Sequence, residues 1–394
     1  MTVADFNPYA PEVRDDPYPL YSRLRRRSPV AFSEELNCWF LFRFADVIDA
    51  AHDHRRFISS EGVALLGGRP SSLVPMIVTT DNPDHDRLRA LVSRRFTGRA
   101  MAGLEAPIRG YAREAIQAFA ARGSCELMTE LAIPIPLLVV GDLLGVAAED
   151  RHRFREWAEA LVHLNPMQPD TVTAARSAGM EIGQYLFAVI EERRRRPGDD
   201  VISLLLASTL DGEALDVSFV LGFAFLFIVA GSETTTNLIG NGMIALARHP
   251  DQLDAVRADP SLVAGMVEEI LRYDGPVQGV ARVVNQDVRI GGATLPAGAK
   301  VQLRWGSANR DEDEYRDADT FDVRRPIRRQ VAFGHGIHYC LGAALSRLEG
   351  RVIFEELLSR LGTWEVPDTI ERLPSGEVRG PASLPLVFPA AVSR

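Results

Sequence analysis

The sequence predicts a mainly α-helical protein with a minor β region, and three observations carry that prediction. Most of the chain falls into helix-period segments separated by Pro and Gly punctuation. One of these, residues 216–248, is apolar almost all round through Ile228, the mark of a helix buried through the centre of a protein. After Gly275-Pro276 the pattern changes to short runs broken by Gly-Gly and Pro-Ala-Gly turns, which read as strands.

In chain order, a first helix is expected over 16–27, after Pro-rich punctuation, with short β pieces at 30–32 and 38–42. A helix over 83–95 would take Asn82 as N-cap and Pro83 as its first residue, where the missing N–H costs nothing. Further helices are expected over 111–121, 150–162 and 173–195. The long helix 216–248 stops before His249-Pro250, and the helix 261–273 stops before Gly275-Pro276. Strands follow at 277–284, 288–290 and 301–303, and a last helix starts right after Cys340 and runs to about residue 360.

The 394 residues are 46% hydrophobic, ample for a large core, and no linker, repeat or low-complexity tract divides them, so residues 1–394 are expected to form one domain. The N-terminus, MTVADFNPYAPEV, is polar and lacks a basic segment followed by an apolar one. The longest apolar run, 220–230, has 11 residues, against roughly 20 for a membrane span. A cytoplasmic protein without membrane contact is the expectation. A net charge of −9 argues against nucleic-acid binding.

Three cysteines, Cys38, Cys125 and Cys340, lie far apart and form no C-x-x-C pair, so neither a disulfide framework nor a zinc ribbon is indicated. Cys340 stands apart because of its neighbours, FGHGIHYCLG at 333–342. Gly334 and Gly336 permit a tight turn and the close approach of backbone to a flat ligand. At the start of a helix, backbone N–H groups and the positive helix end favour a thiolate, the metal-binding form of cysteine. Phe333 is placed to shield the sulfur, and Gly342 to keep the helix close to whatever the sulfur binds. Three readings stand for this loop: a buried structural cysteine, a zinc site built from His335, His338 and Cys340, or a thiolate ligand to haem iron.

The long helix is interrupted by AGSETT, 230–235. A buried Glu is costly unless paired or used. The Thr234 hydroxyl lies one turn beyond the Ala230 carbonyl and can bond to it, bending the helix, while Ala230 and Gly231 leave room for a diatomic ligand. Proton delivery by Glu233 and Thr234 is one reading. An ordinary helix hydroxyl beside a Glu paired with an arginine is the other. Elsewhere, Glu269 and Arg272 at i and i+3, and His85 and Arg89 at i and i+4, each share a helix face.

These motifs together resemble those of the cytochromes P450. The cysteine loop matches the family's F-x-x-G-x-H-x-C-x-G at Phe333, Gly336, His338, Cys340 and Gly342. AGSETT resembles its oxygen-activation segment, Glu269 and Arg272 its E-x-x-R motif, and Arg325 in FDVRRP the third member of that network. The resemblance implies the cytochrome P450 fold, with haem b (iron protoporphyrin IX) between the long central helix and the cysteine loop. It implies Cys340 as the iron ligand and Glu233 and Thr234 in proton delivery. His85, Arg89, Arg282 and His338 would hold the haem propionates, and Glu269, Arg272 and Arg325 would be structural.

The implied activity is a monooxygenase inserting one atom of O2, by hydroxylation or epoxidation, into a hydrophobic small molecule of bacterial secondary metabolism or catabolism. Phe227, Ala230, Val277 and Val280, with residues 62–78 and the turn at 380–383, are expected to line its pocket, and the Gly- and Pro-rich stretch before Pro83 to act as a lid. No flavin or nicotinamide domain fits the length, so electrons would come from a ferredoxin or flavodoxin with its reductase, and a monomer is expected. Arg94, Arg95, Arg99, Arg328, Arg329, Arg347 and Arg351 are expected to form a basic face toward that partner. A haem-thiolate sensor that does not hydroxylate, and a helical metal-binding protein, are the competing readings.

Overall fold

The computed structural model describes residues 6–66, 74–147, 150, 153–154, 156–157, 160 and 168–390. The first expected helix, 16–27, is Tyr18–Arg27, and a short helix that was not anticipated, Pro11–Asp15, precedes it. Pro17 cannot donate a backbone N–H, and the Asp16 side chain takes the Tyr18 N–H at 3.2 Å, so the chain breaks between them. The next helix is Asp84–Ser93. Pro83 occupies its N-cap rather than its first turn, and Asn82 caps from one residue further out, its Oδ1 accepting the Asp86 N–H at 3.2 Å.

Helix Glu105–Ala120 begins earlier than expected, and Pro169–Arg195 starts on a proline in its first turn. The helix expected over 150–162 lies largely outside the described residues. The central helix, Val217–Arg248, is capped by Asp216, whose carboxylate accepts the Ser218 N–H at 2.7 Å. Helix Val263–Tyr273 follows a single 3-10 turn, Pro260–Leu262. The last helix, Ala343–Arg360, begins three residues after Cys340 rather than beside it, because Gly342 takes the N-cap position.

A five-stranded sheet packs to one side, in the order Val30–Ser33, Cys38–Leu41, Lys300–Leu303, Val280–Val284, Phe57–Ile58. Its pairs are antiparallel except for the parallel register Val301 to Trp39. The strand expected from 277 starts at Val280 instead. Val277 bridges to Val378 and the Gln278 N–H goes to the Glu377 carbonyl, so the C-terminal segment claims those backbone groups first.

By length and composition the central helix is apolar enough to cross a membrane. Here protein surrounds it, and 20 of its 32 residues are buried. Close packing fixes its depth. A Cβ on Gly242 would sit 2.4 Å from the Phe354 ring, and one on Gly350 would sit 3.1 Å from Leu238, so the central and last helices touch through glycines.

Glu269 and Arg272 are wholly buried and joined by two hydrogen bonds of 2.7 and 2.8 Å. Arg325 adds a third, 3.2 Å to Glu269 Oε1. Arg272 also donates to the carbonyls of Asn309, Ala318 and Thr320. The network therefore pins residues 309–325, the segment that leads into the cysteine loop.

Candidate functional site

A cavity of about 300 Å³ lies between the central helix and the cysteine loop. It brings together Cys340, Phe333, His338, Gly342, His85, Arg89, Arg282, Ala230 and Thr234, drawn from four separate parts of the chain. On its floor, the Cys340 N–H donates to the Phe333 carbonyl at 2.8 Å, closing the loop. Cys340 keeps accessible surface, but that surface belongs to the cavity. Burial pushes its thiol up. The Gly342 N–H, Arg89, Arg347 and the Ala343 N–H act in the opposite direction. The helix end thus acts on the sulfur through two N–H groups of its first residues, although Cys340 itself precedes the helix.

The glycines of the loop make the tight turns expected of them, and they also let the loop pack closely on its neighbours. Both have positive φ, +72° at Gly334 and +71° at Gly336. A Cβ on Gly334 would meet the Trp305 ring at 2.5 Å, and one on Gly336 would meet the Ala51 carbonyl at 2.4 Å. They let the loop dock on the sheet-side helices, leaving its cysteine toward the cavity.

Positive groups collect at one edge. Arg282 is deeply buried, forms no ion pair among the described residues, and donates only to its neighbour's Ala281 carbonyl at 2.7 Å; burial pushes it down to about 10. Arg89 is lowered by burial as well and reaches the Tyr339 carbonyl. The His85 and His338 rings lie 4.3 Å apart, and Ser59 Oγ meets His338 Nε2 at 3.1 Å. Burial, then Arg282, His85, Arg89 and His54, push His338 down to about 2, so it is neutral. Asp86 meets His85 Nδ1 at 3.3 Å, but Arg89 and Arg282 form no ion pair among the described residues, which makes this edge an environment for an anion.

The central helix forms the roof. Thr234 Oγ1 donates to the Ala230 carbonyl at 2.9 Å. Glu233 is not on the cavity wall: successive helix residues diverge by about 100°, and its carboxyl turns aside into the protein. Burial, with a smaller push from Glu377, raises it to about 7, and it makes no ion pair among the described residues, so the arginine pairing of the alternative reading is not found there.

Phe227, Val277 and Val280 line the walls with Ile77 and Val78. The expected turn at 380–383 does not. Gly380 packs on Asn237 and Pro381 on Gly240, further along the central helix. Part of the expected lid, 67–73, lies outside the described residues. Phe223, Leu226, Trp305 and Glu349 line the cavity and were not anticipated. Phe223 was within reach of the sequence, being one helical turn before Phe227. Trp305 and Glu349 carry no local signal. The indole N–H of Trp305 and Oε1 of Glu349 are buried without hydrogen-bond partners among the described residues.

The basic face is smaller than expected. Arg95 pairs with Asp199, Arg329 with Glu314, Arg347 with Glu268, and Arg351 with Glu105 and Glu355. Arg94, Arg99 and Arg328 form no ion pair among the described residues.

These features fit haem. One cysteine sulfur faces the cavity with two N–H donors behind it, two arginines without ion-pair partners among the described residues match two propionates at one edge, and the remaining wall is mostly apolar. Comparison with known proteins agrees. The cytochrome P450 family profile matches residues 152–378. A putative cytochrome P450 123 of Mycobacterium tuberculosis is 38% identical over 385 residues, 96% of each chain. A vitamin D(3) 25-hydroxylase of Pseudonocardia autotrophica is 41% identical over 353 residues, covering 87% of this chain and 86% of the relative. The solved structure of a Chondromyces apiculatus cytochrome P450 superposes with a TM-score of 0.91 at 39% identity over the whole of both chains.

Proposed function

The chain belongs to the cytochrome P450 family, whose members are haem monooxygenases, and on that premise we propose that Cys340 is its iron ligand and that its substrate is an uncharged, largely apolar molecule. The observation that carries the reading is one cavity joining the cysteine loop, the cationic edge and the Ala230–Thr234 turn. Held there through a thiolate, haem would supply O2 activation, the overall reaction placing one oxygen atom in the substrate and one in water at the expense of two electrons and two protons.

The chain's own residues then have distinct tasks. The Gly342 and Ala343 N–H groups hold the sulfur in place. His85, Arg89, Arg282 and His338 hold the propionates, Arg282 and Arg89 by charge and the two histidines as neutral hydrogen-bonding groups. Phe333 covers one flank of the sulfur, with the Arg347 guanidinium stacked 4.4 Å from its ring. Glu233, half-protonated near neutral pH, is the proton reservoir, and the Thr234 hydroxyl passes or positions protons inside the cavity. Ile77, Phe223, Phe227, Val277 and Val280 exclude water and offer no charged anchor, which selects a hydrophobic substrate. The named activity of the Pseudonocardia relative on vitamin D3 supports a terpenoid- or steroid-sized molecule of that kind.

Electrons come from a separate ferredoxin or flavodoxin system, docking near Arg94, Arg99 and Arg328. The chain acts as a single cytoplasmic domain and as a monomer. The visible spectrum of the reduced, CO-bound protein tests the ligand. A strongly red-shifted Soret band is expected, and Cys340→Ser should lose it. A folded, haem-loaded wild type without that band would refute the assignment.

A further inference from the structure

We propose that a second, much smaller cavity, apart from the one that holds Cys340, is a binding site for a monovalent inorganic anion of the size of chloride. It measures about 10 Å³ and lies where the N-terminal segment meets the C-terminal one. Arg14 reaches it from helix Pro11–Asp15, Arg304 from the end of strand Lys300–Leu303, and Arg372 and Arg379 from the C-terminal segment. Such a space takes one water molecule or one monatomic ion.

Charge does not balance around it. Among the described residues, Asp274 is the one carboxylate within ion-pair distance of these four guanidinium groups, 2.7 Å from Arg379 and 3.5 Å from Arg372. Against its burial, those two arginines hold it down to about 2, so it is a full carboxylate shared between them. Arg14 and Arg304 form no ion pair among the described residues. Glu377 acts on Arg304 only from further off, and its carboxylate is bonded to the Leu65 N–H and the Gln302 amide instead. Even with Glu377 ionised, four positive groups meet two negative ones. Burial, then repulsion by Arg379, pushes Arg372 down to about 10, the mark of a guanidinium short of counter-charge.

Hydrogen bonding leaves the same gap. Arg379 is fully used, by Asp274 and by the carbonyls of Arg14 and Asp15. Arg304 is 1% exposed and commits its two terminal nitrogens to Gln302, the Gly376 carbonyl and the Tyr21 hydroxyl. Its Nε–H, like that of Arg14, is buried with no acceptor among the described residues. Buried donors on charged groups are costly to leave unpaired. A water molecule would accept from them and leave the excess charge in place, whereas an anion answers both.

The position gives the ion a structural effect. It would tie Arg14 of the N-terminal segment to Arg304 and to the C-terminal segment. That junction backs the main cavity: the Arg379 N–H donates to the Pro276 carbonyl at 2.7 Å, Val378 bridges to Val277, and Pro276 and Val277 line the cavity wall. An ion that binds only the folded chain stabilises it by mass action.

The test uses the full-length, haem-loaded protein in potassium gluconate, whose anion is too large for the cavity, with chloride replacing gluconate at constant ionic strength so that screening stays fixed. The melting temperature should rise with chloride and level off. Arg14→Gln and Arg304→Gln each remove a charged donor, so each should need at least about tenfold more chloride for the same half-rise. Arg14→Gln keeps the main-chain carbonyl that holds Arg379, and it carries the test if Arg304→Gln does not fold. Wild-type crystals grown in bromide should show an anomalous-scattering peak inside the cavity. Equal melting temperatures in chloride and gluconate would overturn the proposal, as would an unshifted half-rise in the variants, or a cavity that holds water and no bromide. None of these readouts depends on turnover.

Discussion

Thr234 and Thr235 are adjacent in sequence and separate in consequence, because one residue of helix turns a side chain by about 100°. The first bonds to Ala230 within its own helix, and the second reaches across to another helix. Thr234→Ala should therefore leave O2 consumption running while product per O2 falls by at least about tenfold, with the balance released as peroxide or water. Parallel assays of substrate, O2 and peroxide measure this, and an unchanged ratio would remove Thr234 from proton handling. The Glu233 carboxyl is raised from its ordinary range to about 7, so it keeps its proton below that pH and has lost it above. Coupling should decline as pH rises through about 7 in the wild type, and that inflection should be missing in Glu233→Gln. The sequence made Glu233 and Thr234 legible because both sit in one short motif. It was silent on Glu349, whose environment depends on a helix more than a hundred positions away.

At the scale of elements, the site depends on how rigidly the cysteine loop is delivered. Residues 309–325 are tied to the Glu269–Arg272 pair through main-chain carbonyls, and the loop itself closes on the Cys340 N–H. Glu269→Ala would leave Arg272 charged, fully buried and deprived of its carboxylate. Breaking one partner of such a pair costs about 3–5 kcal/mol. Urea denaturation should show a loss of that size, and a loss below about 1 kcal/mol would mean the pair behaves as a surface ion pair. The last helix illustrates why element boundaries are harder to read than element types. The helix itself was expected, yet it starts at Ala343, since Gly342 caps it and residues 340–342 belong to the loop. The strand at 277 was likewise shortened by a partner, Val378, that local pattern does not show.

At the scale of the whole molecule, a net charge of −9 coexists with a few basic residues, Arg94, Arg99 and Arg328, that form no ion pair among the described residues. Arg94 and Arg99 follow the helix that carries His85 and Arg89, and Arg328 precedes the cysteine loop. Reversing Arg94 and Arg99 to Glu should slow reduction by an acidic ferredoxin at low ionic strength, with the difference shrinking as salt screens it. Stopped-flow reduction at two salt concentrations measures the effect, and equal rates for wild type and variant at low salt would exclude docking there. Arg347 is a poor site for this experiment because it is bound to Glu268 and stacked on Phe333, so its reversal would disturb the floor of the cavity as well.

The sequence by itself determined the fold class and the family and singled out the cysteine loop, because each rests on residues that lie close together in the chain. A ten-residue loop, a six-residue helix segment and i, i+3 or i, i+4 pairs carry their meaning locally. Only the tertiary structure decided that Gly334 and Gly336 make room for Trp305 and Ala51, that residues 380–383 belong to the far end of the central helix, and that most of the expected basic face is already paired. It alone brought Glu349 beside Thr235. Those outcomes depend on which side chains meet across long stretches of chain, and burial, which sets the protonation of Glu233, Glu349, Arg282 and His338, exists only once the chain has packed.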